Sequence, residues 1–419
     1  VTACIEHARQ YQPDTEQEAF TTGSRNRLEE ALYDRIRDNP DTHLPFFSQL
    51  VETGDEVFVE RAVAALRSLI TNVDYEDTTI DDWQPVVEGL VAFCDPDSLD
   101  TAWPRDCRQS VAELLQTIVG HERSTLPVVE HQADLETVLA ALLDDPDPEG
   151  PTDTWNSPIG NDRTVYVNGV RATGVVATSH CLRVLHSEPD HQDNQVLWER
   201  LAELRSDPAR PVRFAFGKRL TDLYVLNESF ITSHLDTLLP EGEDRESVSR
   251  FTAVWEGYLT TRQLHPDLFE ALRSKYRRAI DIHKRSVEDG IENQDTSDDT
   301  ETDAELESPL TSFYGDLGPR PTQATYDARA FEPLCSHLAC AYGGSSLELT
   351  DDLIQAVLAV DPSDLSSEGP PSADRVFADT FSDLLANAGT PESEEQYWER
   401  TTAFWKKKKK KADDTIPTA

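Results

Sequence analysis

The sequence predicts an all-α chain, an α-solenoid of antiparallel helix pairs interrupted by a disordered acidic insertion. Three observations predict it. Apolar residues recur at i, i+3, i+4 and i+7 in one segment after another. Turns rich in Pro, Asp and Gly separate these segments at helix-length intervals. Strand-like composition is confined to Thr164-Val165-Tyr166-Val167, a run read as leading into the next helix.

Taken in order, Phe58, Ala62, Ala65, Leu66 and Leu69 form the first apolar stripe, after the turn Asn39-Pro40-Asp41. Val111, Leu114, Leu115, Ile118 and Val119 form the second, and Leu135, Val138, Leu139, Leu142 and Leu143 the third. Asp144-Asp145-Pro146-Asp147-Pro148 stops that helix. The next is expected to start near Asn168, a good N-cap, and to run through Val170, Ala177, Cys181, Val184 and Leu185. Leu197, Leu201 and Leu204 precede the breaker Asp207-Pro208-Ala209-Arg210-Pro211. Val212, Ala215, Phe216, Leu220 and Leu223 follow it at helical spacing, then Ile231, Leu235, Leu238 and Leu239. After a charged turn come Phe251, Val254, Trp255, Tyr258 and Leu259.

From Glu288 to Glu307 acids crowd among Ser, Thr, Asn, Gln and Gly with almost nothing apolar. Such a segment cannot bury enough surface to offset its ordering entropy and is read as a linker. Beyond it, Leu353, Val357 and Leu358, then Phe377, Phe381, Leu384 and Leu385, then Tyr397, Thr401, Phe404 and Trp405 mark further helices. The expected organisation is 1–145 and 146–287 as N-terminal and central helical repeats, 288–310 as the acidic linker, 311–405 as a C-terminal helical part and 406–419 as a Lys-rich tail.

With 79 acidic and 38 basic residues the formal net charge is −41, which repels nucleic acid and anionic membrane surfaces. The acids are spread through every segment, the pattern of a chain adapted to a salt-rich cytoplasm, where screening shortens repulsion to about 3 Å at 1 M salt. A basic partner is the competing explanation. Outside the run Lys406 to Lys411, lysine occurs at Lys218, Lys275 and Lys284. That run invites a local anion site for nucleic acid or membrane, but it interrupts a helix right after Trp405, as a homopolymer coding tract or a frameshift would. The six cysteines are scattered and fit reduced thiols. No apolar run approaches the roughly 20 residues of a membrane span, and Val1 to Gln10 shows no signal peptide. The expected location is cytoplasmic. The chain contains no methionine, even at position 1, so it is expected either to use a non-standard start or to begin inside a longer reading frame.

No motif names a reaction. Cys335-Ser336-His337-Leu338-Ala339-Cys340 offers three zinc-type ligands without the second pair a structural site needs. His180, Cys181, His186 and His191 cluster around a helix end, where a cation such as His186 serves structurally. Neither phosphate-loop pattern, G-x-x-x-x-G-K-[ST] or G-x-G-x-x-G, is present. Arg171, Arg183, Arg213, Arg219, Arg277 and Arg278 could line a basic strip, though pairing with acids across turns explains them more simply. No catalytic residue, cofactor or metal ligand is assigned.

Several stretches resemble a known architecture. They are Asn156-Ser157-Pro158-Ile159-Gly160, Asn168-Gly169-Val170-Arg171-Ala172, Asp207-Pro208 with Val212-Arg213, and Val254-Trp255-Glu256-Gly257-Tyr258-Leu259. Leu268-Phe269, Leu272, Tyr276, Arg278-Ala279-Ile280 and Tyr397-Trp398-Glu399-Arg400 continue the series. Together they resemble the degenerate HEAT-like C-terminal region of large prokaryotic STAND-type NTPases and defence proteins. The resemblance covers about 130 residues well and about 100 more loosely, and its motifs are packing signatures. It implies a non-catalytic recognition or scaffold module, the sensor part of a larger protein whose NTPase core and effector lie elsewhere. A protein partner is implied, with Trp198, Tyr224, Trp255 and Tyr258 as candidate interaction residues, though packing between helices accounts for such aromatics more simply. Two alternatives stand beside it: a free-standing enzyme with an unrecognised helical active site, and a purely architectural spacer.

Overall fold

The computed structural model describes residues 25–72, 79–95, 103–148, 169–188, 194–261 and 265–282, with Leu334, Leu338, Leu353 and Ala356. The candidate zinc ligands Cys335, His337 and Cys340, the run Thr164–Val167, the acidic linker and the lysine run lie outside the described residues. So do the apolar positions expected to form helices beyond Leu353. Among the described residues every regular element is helical and no strand occurs. The chain divides into two compact units, with the change between Tyr258 and Leu259.

In the first unit the helices are α1 (Arg25–Asp38), α2 (Pro40–His43), α3 (Phe47–Glu52), α4 (Glu56–Thr71), α5 (Gln84–Cys94) and α6 (Arg105–Gly120). They continue as α7 (Gln132–Leu143), α8 (Val170–Ser187), α9 (Gln195–Leu204), α10 (Arg210–Leu226), α11 (Glu228–Leu238) and α12 (Arg245–Leu259). Proline opens several of them, as Pro40 in α2, Pro85 in α5 and Pro211 in α10. Its missing N–H falls where a helix has no internal acceptor to lose. Asn227 caps α11 directly, its side-chain oxygen accepting from the Phe230 amide at 3.0 Å.

The predicted apolar stripes are the core. Every stripe residue named above in α4, α6, α7, α10, α11 and α12 is buried, and in α8 and α9 only Val184 and Leu204 remain partly exposed. The start of α8 differs from expectation. It begins at Val170 after Gly169, whose φ of 152° is a conformation side-chain-bearing residues rarely adopt. The Val170 amide donates across space to Asp147 Oδ2 at 2.9 Å. A distant carboxylate thus does the work expected of a local cap.

Two series of contacts run through this unit. α1 packs on α4, α4 on α6, α6 on α8, and α8 on α10. α3 packs on α5, α5 on α7, and α7 on α9. Contacts of α3 with α4 and of α7 with α8 join the two series, and α11 packs on α10. In the second unit, α13 (Pro266–Ala271) and a helical stretch at 273–282 bury Leu268, Leu272 and Ile280, with the Phe269 and Tyr276 rings 4.8 Å apart.

Candidate functional site: a basic cluster between two helices

Three of the four candidate interaction aromatics are interior, the packing role that helical spacing favours. Tyr224 and Trp255 are 4% exposed and Tyr258 is fully buried. Trp255 lies near-parallel to Phe251 at 5.6 Å and meets Tyr258 at 5.5 Å. Trp198 is half-buried and tilts against Phe230 at 4.9 Å. Helical spacing places these rings on one side of their helices, and that side is the core.

The arginines divide by role. Arg171 is held across turns by one acid and two carbonyls: its Nε donates to Asp207 at 3.1 Å, and its terminal nitrogens donate to the backbone carbonyls of Asp145 and Pro148. Asp207 also receives the Ala209 amide at 2.7 Å, so one carboxylate anchors Arg171 and the turn into α10. The Asp144–Pro148 turn is tied to α6 as well, through Arg108 to Asp145 at 2.8 Å and Arg105 to Asp147 at 3.2 Å. Burial raises the Asp145 carboxyl above its ordinary range, partly offset by the Asp147 amide and Arg108. A breaker in the sequence is therefore a junction in the fold.

Arg213 is 1% exposed and carries the largest fully buried side chain. Its guanidinium donates to the carbonyls of Arg205 (3.1 Å), Asp207 (3.4 Å), Thr237 (3.0 Å) and Leu238 (3.4 Å), and its Nε to Arg250 (3.4 Å). Four of these carbonyls sit at or just past the C-terminal ends of α9 and α11, where helical carbonyls lack internal partners and carry partial negative charge. Burial and the nearby Arg250 bring its pKa down to about 10, so the side chain stays charged at neutral pH. It is a structural hub, not part of a strip.

A different set remains. His180 and Arg183 on α8 meet Lys218 and Arg219 on α10. The His180 ring presents Nδ1 to Arg183 at 3.3 Å and Nε2 to Arg219. The ring fits because α6 ends in glycine there: a Cβ on Gly120 would stand 2.6 Å from Nδ1. Arg219 forms an ion pair with Asp222 at 3.0 Å, while its buried Nε has no hydrogen-bond partner. Lys218 is half-buried and makes no hydrogen bond or ion pair among the described residues. Burial and Arg219 lower its pKa. Burial, then Arg219, Arg183 and Lys218, push His180 down to about 3, so the ring is neutral. The sequence offers two clues, the rarity of lysine and the position of His180 one turn from Arg183. What it hides is that α8 and α10 bring these residues together.

The remaining candidate chemistry is quiet. Cys181 and Cys107 are buried, and burial pushes both thiols up to about 12, which keeps them protonated and unreactive. His186 is exposed near the end of α8, and His191 lies outside the described residues. Among the described residues no group of three His, Cys, Asp or Glu side chains is arranged to hold a metal, and no helix is long and apolar enough to cross a membrane. A cleft of about 200 Å³ lies between Leu69, Ile80 and Trp83, where the Trp83 indole N–H donates to Thr125 at 3.1 Å. No family model matches the chain, and no curated protein or solved structure matches it either.

Proposed function

We propose that this chain is a non-catalytic recognition and scaffold module, a HEAT-like α-solenoid of antiparallel helix pairs that grips a protein partner. The observation that carries the reading is the order of packing. Helices two places apart in the chain contact each other in two series, α4 to α6 to α8 to α10 and α3 to α5 to α7 to α9. That pattern is the one expected when each helix pair stacks on its predecessor and cannot bury its apolar face alone. Burial of Tyr224, Trp255 and Tyr258 favours assigning recognition to polar and half-buried positions along the helices.

The module belongs, on this reading, to the sensor end of a larger NTPase-type protein, with antiviral defence as its setting. The supporting residues are the packing motifs around Asp207-Pro208 and Val254–Leu259. A salt-adapted cytoplasm accounts for the −41 charge.

Two measurements test this. The first is the genomic frame on either side: an adjoining Walker-type NTPase core supports the sensor role, and isolation between unrelated genes sinks it. The second is cross-linking of the full chain to proteins co-purified from its native cytoplasm. One recurrent partner, cross-linked along consecutive members of a single helix series, is expected. Cross-links scattered over both series with no recurrent protein would reject the recognition reading.

A further inference from the structure

We infer that His180, Arg183, Lys218 and Arg219 form a binding site for a phosphoryl dianion, either free phosphate or the phosphate of a nucleotide. The inference stands on the geometry of α8 and α10 and does not depend on the scaffold reading.

Three features converge. The first is charge. Asp222, which pairs with Arg219, is the only acid ion-paired with Arg183, Lys218 or Arg219 among the described residues. Two positive charges are left there without a counter-ion, in a chain of net charge −41 where acids are easily supplied. A dianion matches that excess, whereas a carboxylate would cancel half of it.

The second feature is an unresolved hydrogen-bond conflict. A neutral imidazole carries one N–H and one lone pair. Both ring nitrogens of His180 nevertheless face guanidinium donors, from Arg183 on one side and Arg219 on the other. Whichever tautomer is present, one guanidinium N–H meets a ring N–H. An oxyanion that draws one guanidinium off the ring accepts its N–H and removes the conflict, leaving the other ring nitrogen as the acceptor.

The third feature is unused donor capacity. The Arg219 Nε is buried without a hydrogen-bond partner, and Lys218 is half-buried with its ammonium unpaired among the described residues. A buried polar group normally finds a partner, and leaving one unmade is costly. Two guanidinium forks plus one ammonium are the donor set that suits tetrahedral phosphate oxygens.

The test is calorimetric titration of the full chain with inorganic phosphate at fixed ionic strength set by chloride, because a chain this acidic responds to any salt. Saturable phosphate binding is expected. Arg183→Gln, at an exposed position, and Lys218→Gln should each weaken it about tenfold or more, the effect of losing one charge-assisted hydrogen bond. Lys218→Arg should keep it within about threefold. Melting temperatures of all three variants identify any loss due to misfolding, and Arg183→Gln is the deciding variant if Lys218→Gln melts early. Adenosine monophosphate separates the two sources: tighter binding than phosphate assigns a nucleotide, equal or weaker binding assigns the free ion. Phosphate heats indistinguishable from chloride, acetate binding as well as phosphate, or undiminished binding in a well-folded Arg183→Gln protein would each overturn the site.

Discussion

Gly217 of α10 and Gly257 of α12 occupy one helix crossing, each facing the backbone of the other's helix. A Cβ on Gly217 would stand 2.8 Å from the Tyr258 nitrogen and closer still to the Val254 carbonyl oxygen. A Cβ on Gly257 would stand 2.8 Å from the Lys218 nitrogen and closer still to the Phe214 carbonyl oxygen. The obstacle in both cases is backbone, which cannot swing aside as a side chain can.

That reciprocity reverses an ordinary expectation. Glycine to alanine inside a helix normally stabilises by about 0.5–1 kcal/mol. Here Gly217→Ala and Gly257→Ala should each destabilise by about 1–3 kcal/mol, because the two helices must separate to admit a methyl group. Urea denaturation of the two variants reads the sign directly. A gain in stability from either would show that the crossing is looser than described.

Arg213 gives a second expectation. Its guanidinium serves five carbonyls at once, and no uncharged side chain of similar length replaces those donors. Arg213→Met should therefore cost about 3 kcal/mol, from several buried carbonyls left unpaired. Arg213→Lys, with three donors on a point charge, should recover part of that loss. Equal stability of Met and wild type in thermal melts would mean that water already serves the carbonyls.

Legibility in the sequence depends on whether a residue's role is local. The stripes in α4, α6 and α7 are periodic, and every named residue in them is buried. α5 escapes a reading by periodicity because Pro85 and Gly89 look like breakers. Pro85 in fact lies in the first turn, and Gly89 makes room for the Phe47 ring. α1 escapes it because Leu28, Leu32 and Ile36 are thinly spread among charges. The basic cluster depends on two helices some 40 residues apart in sequence, as the 39-residue separation of His180 and Arg219 shows. Periodicity reports which face of a helix is buried and nothing about which helix it meets. Trp255 and Tyr258 belong to such a stripe, and their burial follows from it.

His180 makes stability pH-dependent in a definable window. Its ring titrates near 6.5 in the unfolded chain and near 3 in the folded one. Between those values the unfolded state binds the extra proton. The stability contributed by keeping His180 neutral is therefore complete above pH 6.5 and is lost as pH falls toward 3. A His180→Asn variant lacks that group, so wild type should lose about 1–2 kcal/mol more than the variant between roughly pH 7 and pH 5. Denaturant titrations at the two pH values measure the difference. Parallel losses would place the ring in water, away from Arg183, Arg219 and Lys218.

Trp255 separates packing from recognition most sharply. It is 4% exposed and packed between Phe251 and Tyr258 on the same helix face. As core, its truncation to alanine should cost about 3–5 kcal/mol through lost burial and the cavity left behind. Half-buried Trp198, with one ring contact to Phe230, should cost less when truncated, because its exposed part gained little from folding. Chemical denaturation of both alanine variants compares the two positions in one experiment. If Trp255→Ala kept wild-type stability while binding of a cross-linked partner disappeared, the ring would belong to an interface that opens on binding. The order of the two destabilisations is thus a direct reading of where the core of this helical array ends.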